Sequence, residues 1–200
     1  MLARFVDFVF PPGCCGCGSP GPPLCSTCAP RPTAARRLCF EDLTVVAAGP
    51  YAGALRRTIL AFKRGRRDAG DALAALLAER VAAQLSPALI FVPVPTAARR
   101  RRERGFDQGV RLARQCGEAS GHAVLVALRK PHVDAQRGRS RAARLRAQGR
   151  FVCAAPDLVR GMHIVLVDDV VTTGATLRDC TLTLRDCGAM VDQAIVLAYA

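Results

Sequence analysis

Aromatic residues are scarce in this chain of 200 residues: tryptophan is absent, tyrosine occurs twice and phenylalanine eight times. Few of them lie near basic runs, which leaves little for nucleobases to stack on, so any nucleic-acid binding has to be mainly electrostatic. Acidic residues are also few, 16 against 29 lysines and arginines, for a formal net charge of +13. Long apolar runs are missing. No stretch approaches the roughly 18 residues of a membrane span, and Met1–Phe10, short and carrying Arg4 and Asp7, makes a poor signal peptide. The three histidines, His122, His132 and His163, are scattered, and none stands out as a general base. No Gly-Lys-Ser/Thr pattern is present, which excludes a phosphate loop of that kind.

Cysteine is plentiful by contrast, with ten. Six fall between Cys14 and Cys39, a clustering unlike a secreted disulfide framework. Cys14-x-x-Cys17 and Cys25-x-x-Cys28 each place two thiolates on one tight turn, and two such turns complete a tetrahedral zinc shell. Cys15 and Cys39 are possible substitutes in it. A four-thiolate site is closed, so zinc is expected in a structural role, anchoring a segment with little apolar material of its own; the alternative is a redox pair or unligated thiols. Cys116, Cys153, Cys180 and Cys187 sit in apolar patterns and are expected in the core. Metal-type cysteine spacing, the poor signal peptide and the lack of a span point to a reducing cytoplasm.

Half of the residues are hydrophobic, enough for one α/β domain with a small appendage. Residues 11–40, rich in proline, glycine and cysteine, show no helical or strand period and read as the zinc-binding module; 41–200 read as the main domain. There, strands are expected at Leu43–Ala48, Leu89–Val92, Val124–Leu128, Ile164–Val167 and Gln193–Tyr199. Helical spacing marks Tyr51–Phe62, Asp71–Leu85, Phe106–Cys116 and 174–187. Alternating strands and helices imply a parallel, Rossmann-like sheet with a metal knob in front.

The most informative stretch is Ile164-Val165-Leu166-Val167-Asp168-Asp169-Val170-Val171-Thr172-Thr173-Gly174-Ala175-Thr176. Its apolar start reads as a buried parallel strand, and Leu177, Thr181, Leu184 and Gly188 continue at helical spacing. The hydroxyl-rich turn thus lies between a strand end and a helix N-terminus, where exposed amides and the helix dipole favour phosphate. Asp168 and Asp169 beside it repel phosphate but accept hydrogen bonds from sugar hydroxyls or hold a divalent cation. Phosphate on one side and hydroxyls on the other describe a phosphorylated ribose.

A second block, Phe91-Val92-Pro93-Val94-Pro95-Thr96, ends a strand and leads into Arg99, Arg100, Arg101, Arg102 and Arg104, then Gly105-Phe106-Asp107-Gln108. Ligands of open α/β sheets bind beyond the carboxyl ends of the strands, and arginines there suit a pyrophosphate. A further basic run holds Arg129, Lys130, Arg137, Arg139, Arg141, Arg144, Arg146 and Arg150 against the single acid Asp134. The two runs hold thirteen of the 29 basic residues, a concentration that favours a polyanion partner, pyrophosphate or nucleic acid.

The apolar strand, acid pair and Thr-Gly-x-Thr resemble the phosphoribosyl-pyrophosphate (PRPP) motif of type I phosphoribosyltransferases. With the second block the resemblance narrows to the ComF family over about residues 14–200. It is carried by Cys14 to Cys28, the aromatic-plus-Leu-Lys segment Tyr51 to Lys63, Val92 to Pro95, Arg104 to Gln108, Gln136 with Arg144, and Asp168 to Thr176. Three positions depart from it: Asp107 stands for Asn, Ala147 for an Asn after Arg144, and Asp42 for a second cysteine after Cys39.

The resemblance implies that Asp168 and Asp169 bind the ribose hydroxyls. It implies that the amides of Val170 to Thr176, with the hydroxyls of Thr172, Thr173 and Thr176, cradle the 5-phosphate. Pro95, Thr96, Arg100, Arg104, Gln108 and Arg144 are expected on the pyrophosphate side. Magnesium is the expected partner of the pyrophosphate, the reaction is phosphoribosyl transfer with inversion at the anomeric carbon, and the segment 129–150 is placed to close over the site. A competing reading, also implied by the ComF resemblance, is an accessory protein of single-stranded DNA uptake working with a competence helicase. A third, a zinc-bound scaffold without a ligand, leaves the acidic loop unexplained.

Overall fold

The computed structural model describes residues 13–82, 85, 88–96, 105–130 and 151–200. Arg99 to Arg104 and most of the second basic run, including Arg144, Gln136, His132 and Ala147, lie outside them.

A five-stranded sheet forms the centre, in the order β1-β2-β7-β6-β3. Its strands are β1 (Arg36–Phe40), β2 (Leu43–Pro50), β3 (Ile90–Pro93), β6 (His163–Val171) and β7 (Met190–Tyr199). β2, β7, β6 and β3 run parallel, and β1 returns antiparallel on the β2 edge. The residues 11–40 read above as free of strand period therefore include one at Arg36–Phe40. It escapes notice because it is an edge strand with arginines outward and only a partial apolar face.

Alternating side chains of the parallel strands feed two cores, as the pleat requires. Val46, Ala48, Val165, Val167, Ile195 and Leu197 face one layer, and Val45, Ala47, Ile164, Leu166, Ala194 and Val196 face the other. The first layer holds α1 (Gly53–Lys63), α2 (Arg67–Ala82) and α3 (Gln108–Ser120). α1 buries Leu55, Thr58, Ile59 and Phe62, one stripe at helical spacing. The second layer holds α4 (Pro156–Val159), α5 (Ala175–Arg185) and a two-stranded antiparallel pair of β4 (Leu128–Arg129) with β5 (Val152–Cys153).

The strand expected at Val124–Leu128 divides. Val124 bridges in parallel to Phe91 and extends the sheet past β3, while Leu128 begins β4. Cys116 and Cys180 are core residues, and Cys153 and Cys187 pack against the core from its margin. Among the described residues no helix is long and apolar enough to cross a membrane.

Candidate functional site

Strand β6 carries the acids within itself, because pairing with β7 continues past Asp168 to Val171 and Tyr199. Thr172 to Gly174 make the turn, and α5 starts at Ala175, so Ala175 and Thr176 form its first turn. Gly174 has φ 73°, a left-handed conformation that suits glycine. A Cβ there would stand 2.5 Å from the Phe40 ring, so the end of β1 packs directly on the turn. A small cavity of about 40 Å3 is lined by Asp168 and every residue from Val170 to Leu177.

Asp168 and Asp169 stand at the mouth of this turn. The Asp168 carboxylate accepts the Asp169 amide at 2.8 Å. Asp169 pairs with Lys63, the last residue of α1, at 2.6 Å. Burial and the neighbouring Asp169 charge push the Asp168 carboxyl up to about 7, against the Asp169 amide and the pull of Lys63 and Lys130. The pair therefore divides into one carboxylate held by a lysine and one poised to gain or lose a proton near neutrality.

A cleft of about 220 Å3 opens above them, between the ends of β6 and β3 and the start of α3. It brings together Asp168, Asp169, Val170 and Thr176 with Pro95, Thr96 and Gln108, and adds Lys63 and Lys130. Gln108 is 4 % exposed, and its amide nitrogen donates to the Phe62 carbonyl at 2.8 Å, joining α3 to the end of α1. Asp107 caps α3 by accepting the Val110 amide, a task that aspartate performs as well as asparagine. Gly109 lets that helix start against β3: a Cβ would lie 2.6 Å from the Val94 carbonyl. Arg100, Arg104 and Arg144 lie outside the described residues.

In the cysteine segment, Cys14, Cys17, Cys25 and Cys28 place their sulfurs within 4.8 Å of one another, a set that could hold a metal ion. Amides of Cys25, Cys17 and Gly16 lower the Cys14 thiol to about 6, while desolvation and the crowding of neighbouring sulfurs raise Cys28 to about 12. A divalent cation at the centre reverses that repulsion and suits four thiolates. Cys15 is outside the cluster, with its sulfur accepting from Arg66 at 3.2 Å, and Cys39 is exposed on β1.

Arginines fasten this segment to the helices. Arg57 of α1 donates to the Cys15 and Gly16 carbonyls at 2.8 and 3.0 Å, Arg66 to the Gly13 carbonyl at 3.0 Å, and Arg80 of α2 to the Pro30 carbonyl at 2.8 Å. None of these clamps is visible in the sequence. Asp42, at the position of the missing cysteine, forms an ion pair with Arg185 instead. His122 stacks on Phe91 with ring centroids 4.5 Å apart, and His163 is exposed at the start of β6, so neither reaches the cleft.

Residues 71–200 match the phosphoribosyl transferase domain family. Over 99 residues, half of this chain and 39% of the relative, the sequence is 33% identical to competence protein ComFC of Bacillus subtilis (strain 168). The chain thus spans about two fifths of that protein's length. Among solved structures, a glutamine phosphoribosylpyrophosphate amidotransferase from B. subtilis, complexed with ADP and GMP, aligns at 25% identity and TM-score 0.44 over 63% of this chain and 25% of its own. An allosteric regulatory enzyme of purine biosynthesis aligns at 22% identity and TM-score 0.45, again over 63% of this chain and 25% of its own.

Proposed function

This chain belongs to the phosphoribosyl transferase domain family, and from that premise we propose that it binds PRPP, or a closely related phosphoribosyl ligand, and transfers the phosphoribosyl group. One observation carries the reading. The small cavity of the β6–α5 turn and the larger cleft share Asp168, Val170 and Thr176 in their linings. An anion pocket at a helix N-terminus thus adjoins a carboxylate-lined cleft, the juxtaposition a ribose 5-phosphate demands.

In this reading the backbone amides of Val170 to Thr176 and the threonine hydroxyls hold the 5-phosphate. Asp168 and Asp169 accept hydrogen bonds from the ribose hydroxyls, which fixes the sugar with its anomeric carbon in the cleft. The leaving pyrophosphate faces Pro95 and Thr96, with Arg100, Arg104 and Arg144 as its charge partners. The carboxylates oppose the positive charge that develops on the sugar as the bond to pyrophosphate lengthens. Magnesium, when bound, supplies further neutralisation of the pyrophosphate, and the oxygen donors of Asp168 and Asp169 suit it. Zinc on the four cysteines is structural.

The similarity to ComFC and the net charge of +13 favour a second reading, a competence-type accessory protein that meets single-stranded DNA, and a helicase, through its arginine runs. Isothermal titration with PRPP and magnesium, beside AMP and ribose 5-phosphate, tests the first reading. PRPP binding to the wild-type protein with ribose 5-phosphate weaker is expected; no binding of either ligand would refute it.

A further inference from the structure

We infer that Lys63 is a ligand-binding residue of the cleft, a mobile counter-cation that leaves Asp169 and takes up the pyrophosphate of an incoming phosphoribosyl donor. The inference rests on the phosphoribosyl reading above.

Lys63 holds the carboxylate which that reading assigns to a ribose hydroxyl, at 2.6 Å and with its side chain only 24% exposed. The ammonium sits on one carboxylate oxygen, Oδ2, so a sugar hydroxyl that takes Asp169 competes with the lysine for that oxygen or shares the carboxylate through the other one. The backbone at Lys63 cannot retreat. The preceding carbonyl, of Phe62, is held by Gln108, and the Phe62 ring is 1% exposed, tilted against Phe106 and pressed on Gly70. The side chain can move, because lysine is a point charge on a flexible four-carbon stem. Its base is fixed and its head is free to swing within the cleft.

Charge decides where the head goes. The described lining of the cleft carries two acids, Asp168 and Asp169, and two cations, Lys63 and Lys130. Lys130 lies over the Phe151 ring, 5.4 Å from its centroid. Two and two balance when both acids are ionised, and the lining is net positive when Asp168 holds its proton. A phosphoribosyl pyrophosphate brings neutral hydroxyls to the acids and several negative charges to the Pro95–Thr96 side of the same cleft. Once hydroxyls satisfy Asp169, the freed ammonium gains a charge-assisted hydrogen bond to a phosphate oxygen. A donor lacking the pyrophosphate, such as ribose 5-phosphate, displaces the lysine without offering it a new partner.

That asymmetry is the test. Wild-type protein, Lys63→Met, Lys63→Gln and Lys63→Arg are titrated with PRPP and with ribose 5-phosphate, magnesium present, after matched thermal melts. Removing the charge should weaken PRPP roughly tenfold or more, the size of one lost charge-assisted hydrogen bond. Ribose 5-phosphate should bind as before or tighter, since Asp169 is released, and Lys63→Arg should recover most of the PRPP affinity. Equal losses for both ligands would mark Lys63 as a fixed structural latch and overturn the inference. Wild-type PRPP affinity in Lys63→Met or Lys63→Gln would overturn it too. A wild-type protein that binds neither ligand refutes the phosphoribosyl reading and the inference with it.

Discussion

Replacing Asp168 by asparagine should make the protein more stable and less able to bind its ligand. The carboxyl is displaced from 3.8 to about 7 by burial and by Asp169. That displacement corresponds to about 4 kcal/mol as an upper bound on the cost of its charge. The group lines an open cleft, where solvent screens its charge, so about half of that, ~2 kcal/mol, is the expected gain. The sign follows from proton counting. Between about pH 4 and pH 7 the folded state keeps a proton that the unfolded chain releases, so stability falls as pH rises through that window. The charge penalty is absent below it and complete above it. Asparagine carries no such penalty and still accepts the Asp169 amide through its carbonyl. Thermal melts should therefore coincide near pH 4 and diverge by about 4–8 °C at pH 8, with the variant higher, for a chain of this size. A variant that melts at or below the wild type at pH 8 would refute the burial argument.

Cys14→Ser and Cys28→Ser should each abolish a stoichiometry of about one zinc per chain, read by metal analysis, and make residues 11–40 protease-sensitive. Because Arg57 of α1, the helix bearing Lys63, and Arg66 just beyond its end hold that segment, PRPP affinity should fall as well. Gly174→Ala should cost about 1–2 kcal/mol for the left-handed backbone alone, and more from the Phe40 contact, measurable in denaturant melts. Replacing Arg99, Arg100, Arg101 and Arg102 by Gln separates the two functional readings. If they meet single-stranded DNA, the slope of log affinity against log salt should flatten by about 0.7 per lost contact, whereas a pyrophosphate role lowers PRPP affinity and leaves DNA binding nearly unchanged.

What could be read from the chain alone is what is encoded locally. The apolar run, the acids, the hydroxyls and the helical spacing behind them occupy one continuous segment, so strand, turn and helix follow from adjacent residues. The cysteine pairs are likewise legible because two tight turns carry their own chelating geometry. The edge strand Arg36–Phe40 was hidden because only one of its sides is paired, and its arginines read as surface. Lys63 closes the Tyr51–Lys63 segment that helps carry the resemblance, yet nothing near it in sequence announces Asp169, more than a hundred positions later. The same holds for the Gln108–Phe62 link and the arginine clamps on the cysteine segment. These are contacts between elements, and they exist only once the sheet has brought α1, α2 and α3 together.

The central claim is that Asp168 and Asp169 hold the ribose of a phosphoribosyl ligand, and calorimetric titration of PRPP with magnesium into wild-type protein and the Asp168→Asn/Asp169→Asn double variant tests it most directly. Charge-assisted hydrogen bonds contribute about 1.5–3 kcal/mol each, so losing them at both positions should weaken binding by roughly a hundredfold or more, with the fold intact by circular dichroism. A folded double variant that binds PRPP with wild-type affinity would contradict the assignment.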